Sequence, residues 1–288
     1  MILRLLICFN ICNGVYIDDT DPIYDEYLSL SEIETEFEKL KDETSNPAAS
    51  NYTYGVKRSK YLTADGNSLT FVSVSDQASE IHDWVIIVCG LDGSDWTAVT
   101  ACLNILKNPR YYGFPIKNDE LSNSNVFLSA VNLLVIPIAN PDGYQYTFTD
   151  DRLWKKNRAS TNGLCKGVNL ENNFNYRWCE DDTCTTNPCS ADYAGSSTDS
   201  EIEIISITEE LSNRGKYKNI RAWLTVNQHE SQTDAEIDHG VLFSTRLDSI
   251  NRQSTDRHEI FITEKIANAM TRLSIKNIAF KVTLRNNF

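Results

Sequence analysis

Residues 84–96 read WVIIVCGLDGSDW, a stretch that admits few conformations. Trp84 to Cys89 is an apolar run rich in Val and Ile and closed by Gly90, which predicts a buried strand. After the turn Leu91-Asp92-Gly93-Ser94, Asp95 precedes Trp96, Val99, Leu103 and Leu106, the spacing of an N-cap opening an amphipathic helix. Ligands and catalytic groups of open α/β sheets collect at such strand ends.

The rest of the chain supplies the partners of that unit. Ser31 lies three residues before Glu34, a capping-box spacing, and Ile33, Phe37 and Leu40 give the following helix one apolar face. Asn46 to Asn51 reads as a loop, and Tyr61 to Val74 as a hairpin around Asp65-Gly66-Asn67. Lys107 to Asn125 reads as loop and turn before Asn132 to Ile138, a second buried strand ending in a tight turn at Asn140-Pro141-Asp142-Gly143. The segment 147–197 is polar and carries cysteines and tryptophans, the composition of a large loop held by cross-links. Ser200 with Glu203 predicts a capped helix with Ile202, Ile205 and Leu211 on its apolar face. Ala222 to Val226 is a third buried strand, Glu259 to Leu273 a last helix and Ile278 to Leu284 a last strand. Strands separated by helices predict an α/β sandwich.

A chain of 288 residues with 41% hydrophobic residues can bury one large core, so a single domain is expected over 15–288. The net charge of −13 argues against a nucleic-acid surface, which needs clustered Lys and Arg. Residues 1–14 have the positive start and short apolar run of a secretory signal, too short to span a bilayer; a buried strand is the competing reading. Six later cysteines and the sequon Asn51-Tyr52-Thr53, with Asn51 as the glycan acceptor, also favour secretion.

With these elements placed, the order of motifs resembles the zinc metallocarboxypeptidases of the pancreatic carboxypeptidase A and B type. The blocks are Tyr27-Leu28-Ser29-Leu30-Ser31-Glu32-Ile33, Ile136 to Tyr144, Arg152 to Arg158, Gly167 to Phe174, and Pro188-Cys189-Ser190 through Tyr193-Ala194-Gly195 to Ser200-Glu201. A series of blocks in order is far more specific than any single motif. The resemblance implies a mixed central β-sheet between helices, an α/β/α fold, with the family's last strand and helix missing after Phe288. It also implies which cysteines pair, since six cysteines allow fifteen pairings. Cys165 and Cys189 fall on the family's common disulfide, Cys89 and Cys102 on one frequent in the B type, and Cys179 and Cys184 are left to pair locally. Free buried thiols at Cys89 and Cys102 are the alternative.

The same resemblance exposes what has changed. The family holds zinc with a His-x-x-Glu pair after the first buried strand and a second His after a later one, keeping one position for water. The matching positions are Asp92, Asp95 and Asn227, all oxygen-donor side chains, which suit calcium, magnesium or manganese better than zinc. His229, two residues past Asn227, would rescue an imidazole only through a slip in register. The family's clamp for the substrate carboxylate falls on Lys155, Glu171 and Asn172, so both guanidiniums are lost and an anion is gained. Ser94 stands where an Arg polarises the scissile carbonyl, and the general-base position lies past the end of this sequence.

The expectation is therefore a secreted, monomeric, carboxypeptidase-like protein without cofactor and without hydrolysis. Two alternatives are a weak metallocarboxypeptidase using a non-zinc metal at Asp92, Asp95, Glu171 and Asn227, and a binding or decoy protein for peptides or a secreted protein. No nucleic-acid or membrane partner is expected.

Overall fold

A computed structural model describes residues 26–44, 52–76, 83–107, 132–161, 163–175, 178–179, 185–213, 215–217, 219–228, 242–245 and 280–284. The elements in chain order are α1 (Leu30–Thr44), β1 (Tyr52–Arg58), β2 (Thr70–Asp76), β3 (Asp83–Cys89), α2 (Trp96–Lys107), β4 (Asn132–Ile136), α3 (Pro141–Thr149), α4 (Ile202–Leu211), β5 (Asn219–Gln228), β6 (Leu242–Thr245) and β7 (Phe280–Leu284). The strands form one mixed sheet in the order β1-β2-β4-β3-β5-β7-β6. β3 runs parallel to both β4 and β5, while β1 with β2, β2 with β4 and β5 with β7 are antiparallel.

Alternation along the central strands builds two cores, because successive side chains of a strand point to opposite faces. Val85, Ile87, Leu133, Val135, Leu224 and Val226 meet Ile33, Phe37 and Leu40 of α1, Val99, Leu103 and Leu106 of α2, and Tyr144 of α3. Ile86, Val88, Leu134, Ile136 and Trp223 meet Ile204, Ile207 and Leu211 of α4 on the other face. The central strands are thus covered on both sides, which is why β3 and β4 read as continuous apolar runs. The architecture is the expected mixed sheet between helices.

Several local readings are corrected. The start of α1 is held by Ser29 and Glu32 rather than by Ser31 and Glu34: the Ser29 N–H and Oγ both donate to Glu32 Oε2, at 2.7 and 2.6 Å. Glu34 instead pairs with Arg58 of β1. The hairpin joins β1 to β2, so its first strand precedes Tyr61, although the turn does close at Thr63–Asn67, with Gly66 at φ 86°. Asn140-Pro141-Asp142-Gly143 is the start of α3, with Asn140 as N-cap and Pro141 in the first turn, a position where its missing N–H costs nothing. Glu201 rather than Ser200 caps α4, with no side-chain cap bond, and the buried face carries Glu203, Ile204, Ile207, Glu210 and Leu211 rather than Ile202 and Ile205. Asn51, Cys184, His229, the expected leader, the expected 259–273 helix and, past Lys107 at the end of α2, the expected 107–125 loop lie outside the described residues.

Candidate functional site

β4 lies on one side of β3 and β5 on the other, so chain order reverses beside the carboxyl end of β3, where crevices of open α/β sheets form. Gly90 leaves the strand at φ 63°, and a Cβ there would come within 2.9 Å of Val99 Cγ2. Asp95 then stands at the N-cap of α2, its carbonyl accepting from the Val99 N–H at 3.1 Å. Cys89 is disulfide-bonded to Cys102, which ties the end of β3 to α2.

The turn between them is clamped by α3 and by the segment after it. Asn140 Oδ1 accepts from the Gly143 N–H at 2.9 Å, while its Nδ2 donates to the carbonyls of Leu91 at 3.1 Å and Lys155 at 3.3 Å. The Gly93 N–H donates to the Lys155 carbonyl at 2.9 Å. A Cβ on Gly93 would lie 2.7 Å from Gly143 C and 2.9 Å from the Trp154 carbonyl oxygen, so three backbones meet here at a distance only glycine allows.

On this frame Asp92 accepts through Oδ1 from both the N–H and the Oγ of Ser94, at 2.8 and 2.7 Å, closing a local turn. Its Oδ2 lies 3.9 Å from Lys155 Nζ, a half-exposed pair of little energetic weight. The Ser94 carbonyl accepts from Arg152 Nη1 at 2.8 Å, and the Arg152 guanidinium lies 3.7 Å from the centre of the Trp96 ring. Asp95 is buried at 4% exposure.

Register places the third position. Val226 pairs with Cys89, so Asn227 sits one residue past the level at which β3 ends. Asn227 Nδ2 donates to Glu171 Oε1, and its Oδ1 is buried without a hydrogen-bond partner. Glu171 is carried by the short helix Leu170–Asn172, whose cap Asn169 accepts the Glu171 N–H at 3.0 Å. Asn172 donates instead to the Asp192 carbonyl at 3.2 Å, a contact within the loop. The structure therefore brings Asp92 to Lys155 and Glu171 to Asn227, and gives the Asn172 amide a different partner. Among the described residues no three His, Cys, Asp or Glu side chains converge as a metal site requires.

The loop after α3 is held as a cross-linked unit. Cys165 is bonded to Cys189, and Cys179 is also in a disulfide. Asn173, fully buried, donates to the carbonyls of Ala194 and Ser197 and to Ser200 Oγ, at 2.8, 3.1 and 2.9 Å. Its Oδ1 accepts the Glu201 N–H at 3.1 Å, joining the loop to α4. The sequence reading missed this residue and Asn157, and only a buried polar side chain in a segment otherwise read as loop marks them.

Comparison with known proteins gives one family. Residues 57–261 match the family model of zinc carboxypeptidase. Carboxypeptidase B of Bos taurus is 30% identical over 73% of this chain and 47% of that protein. An inactive metallocarboxypeptidase of Saccharomyces cerevisiae is 28% identical over 63% of this chain and 40% of its own length. A crystal structure of thrombin activatable fibrinolysis inhibitor superposes with a TM-score of 0.58 at 26% identity, covering 72% of this chain and 50% of that one. The chain spans about half the length of the curated relatives it matches, or less.

Proposed function

Because the chain belongs to the zinc carboxypeptidase family, we propose that it is a member that keeps the scaffold and does not hydrolyse peptides. The observation that carries this reading is the bond from Asn227 to Glu171. Asn227 stands at the position the resemblance gives to a zinc-binding imidazole, and its amide nitrogen is committed to a carboxylate. An amide offers a metal only a neutral oxygen, and Asp92, the first ligand position, already receives two donors from Ser94 on one oxygen. Two carboxylates and an amide do not fit a zinc ion, which takes nitrogen and sulfur donors more readily. Without that ion no described residue takes over the activation of water or the polarisation of the carbonyl.

The clamp positions support the same reading. Glu171 repels a peptide's terminal carboxylate, Asn172 is turned to a loop carbonyl, and Lys155 faces Asp92. A calcium- or manganese-dependent peptidase built on Asp92, Asp95, Glu171 and Asn227 is disfavoured because the three carboxylates do not converge as such a site requires. The similarity to the inactive yeast metallocarboxypeptidase agrees with a family that tolerates loss of activity. The retained fold then serves binding, with the cleft or the cross-linked loop 147–197 presented to a peptide or a secreted protein. The leader-like start, the disulfides and the sequon at Asn51 support secretion of the domain 15–288, and the net charge of −13 argues against a nucleic-acid partner; a monomer without a membrane partner completes the proposal.

The test is equilibrium dialysis of the full chain against zinc, calcium and manganese, with metal content measured, followed by mass spectrometry of peptides with free and amidated C-termini. No stoichiometric metal and no released residue are expected. Bound zinc with release of a C-terminal residue from the free peptide would overturn the reading.

A further inference from the structure

The cross-linked loop meets α4 at a buried node that peptide chemistry does not require. Asn157, with no exposed surface, donates from its one amide nitrogen to two carboxylates, Glu201 Oε2 at 2.8 Å and Glu203 Oε2 at 3.1 Å. Its Oδ1 accepts the Val168 N–H at 2.8 Å and the Ala159 N–H at 3.3 Å. Asn157 thus ties the segment that follows α3 to the 167–173 segment and to the first turn of α4.

The two carboxylates are not equivalent. Glu201 is 8% exposed and its other oxygen accepts from Ser200 Oγ at 2.7 Å. Glu203 is 2% exposed and its Oε1 is buried with no hydrogen-bond partner. The charged groups acting on Glu203 are anions, Asp142 of α3 and Glu201 beside it. The cations nearest in sequence to Asn157 are engaged elsewhere: Lys156 Nζ donates to the Pro188 carbonyl at 2.8 Å, and the Arg158 guanidinium lies 3.6 Å from the Tyr146 ring centre. Neither carboxylate has an ion-pair partner among the described residues.

A buried anion with no cation beside it and one oxygen unmet is costly, whereas a carboxylic acid at Glu203 places its proton on Oε1 and leaves Oε2 to accept from Asn157. We propose that Glu203, held with Glu201 on the one amide nitrogen of Asn157, forms a pH-sensitive latch, closed while Glu203 is a carboxylic acid and loosened when its proton passes to solvent. Loosening frees Asn157 and with it Lys155, two residues before it, whose carbonyl anchors Gly93, so the latch sets the order of the cleft wall.

Burial, reinforced by Asp142 and Glu201, pushes the Glu203 carboxyl up from its ordinary 4.5 to about 7. The sign follows from linkage. The opened state, with Glu203 in water, ionises near 4.5, so opening releases a proton between 4.5 and about 7. The latch is tightest below that window, loosens by up to about tenfold per pH unit within it, and is level above it.

The experiment is hydrogen exchange of the full chain from pH 4.5 to 8, read at the peptides holding Val168 and Ala159 and corrected for base catalysis with a fast-exchanging loop peptide. Protection in the native chain should fall between pH 4.5 and 7 and then level, and Glu203→Gln, which mimics the protonated acid, should flatten the profile. Glu201→Gln should move the fall to lower pH. Infrared difference titration of the unsubstituted chain reads the same group without relying on a variant that folds, and should show a carboxylic acid band lost near neutral pH. Absence of that band, or a Glu203→Gln profile that keeps the native slope, would overturn the proposal.

Discussion

The side-chain amide of Asn227, at the carboxyl end of β5, donates to the carboxylate of Glu171 in the short helix Leu170–Asn172. The bond joins the sheet to the cross-linked loop, and Asn227 Oδ1 beside it has no hydrogen-bond partner. Removing Glu171 would then leave both ends of the amide unmet.

Glu171→Ala should therefore destabilise the chain by about 1–3 kcal/mol, the range for stranding a buried polar group. Glu171→Gln keeps an acceptor oxygen and should recover most of the loss. Urea unfolding reads both, and the midpoint should fall for the alanine variant with its slope unchanged. A midpoint for Glu171→Ala equal to that of the native chain would show that the bond contributes nothing.

Asn140 gives a sharper contrast. Aspartate is as good an N-cap as asparagine, so Asn140→Asp would be harmless if capping α3 were the whole role. The Asn140 Nδ2 also donates to the Leu91 and Lys155 carbonyls, and a carboxylate oxygen there would face two acceptors in a fully buried place. The substitution should cost about 2–4 kcal/mol, more than loss of a cap alone. Thermal unfolding of Asn140→Asp beside Asn140→Ala checks this, with aspartate expected to be no better than alanine.

These contacts mark where a linear reading succeeds and fails. The β3 and β4 runs were legible because both faces are buried and no polar residue interrupts the pattern. The start of α1 was not, since Ser29/Glu32 and Ser31/Glu34 have the same spacing. A tertiary bond bears on the choice: Tyr144 Oη donates to the Leu28 carbonyl at 2.6 Å, and the Ile33 N–H reaches the Ser29 carbonyl at 3.0 Å. The face of α4 was misread because Glu203 was read as a capping partner of Ser200, whereas it is buried and held by Asn157, and Glu210 on the same face is held by Lys57 and Tyr217. Within the site, the Asp92–Ser94 turn is local and readable. The Asn227–Glu171 pair depends on β5 meeting a distant loop, which no spacing records.

Two phenols give an alkaline limit. Burial pushes the hydroxyls of Tyr144 and Tyr217 up from the ordinary 10, and for Tyr217 the bond to Glu210 adds to the shift. A raised acid favours the folded state while neutral, so the contribution is complete below pH 10 and is lost as pH rises beyond it. Tyrosinate absorbance should show these two of the 13 tyrosines titrating only with unfolding, and Tyr217→Phe should reduce the alkaline loss of stability. Titration of every tyrosine in the folded chain would contradict this.

The strictest test of lost metal binding is to restore the ligand types on the unchanged frame. Asp92→His, Asp95→Glu and Asn227→His together return two imidazoles and a carboxylate to the ends of β3 and β5. Their backbones are already set by the Gly90 bend, the Gly93–Lys155 bond and the Cys89–Val226 register. The triple variant should bind one zinc ion where the native chain binds none. Two features oppose it: Glu171 loses its Asn227 partner, and Lys155, 3.9 Å from the present Asp92 carboxylate, becomes a cation beside the metal. Adding Lys155→Met should thus tighten zinc binding, by about tenfold for 1.4 kcal/mol of relieved repulsion. Peptide turnover should stay absent, because Glu171 still opposes a terminal carboxylate and Asn172 is bonded to the Asp192 carbonyl. Calorimetric zinc titration of the native, triple and quadruple chains reads the series, and equal zinc affinity in all three would show that the side chains at 92, 95 and 227 are not what excludes the ion.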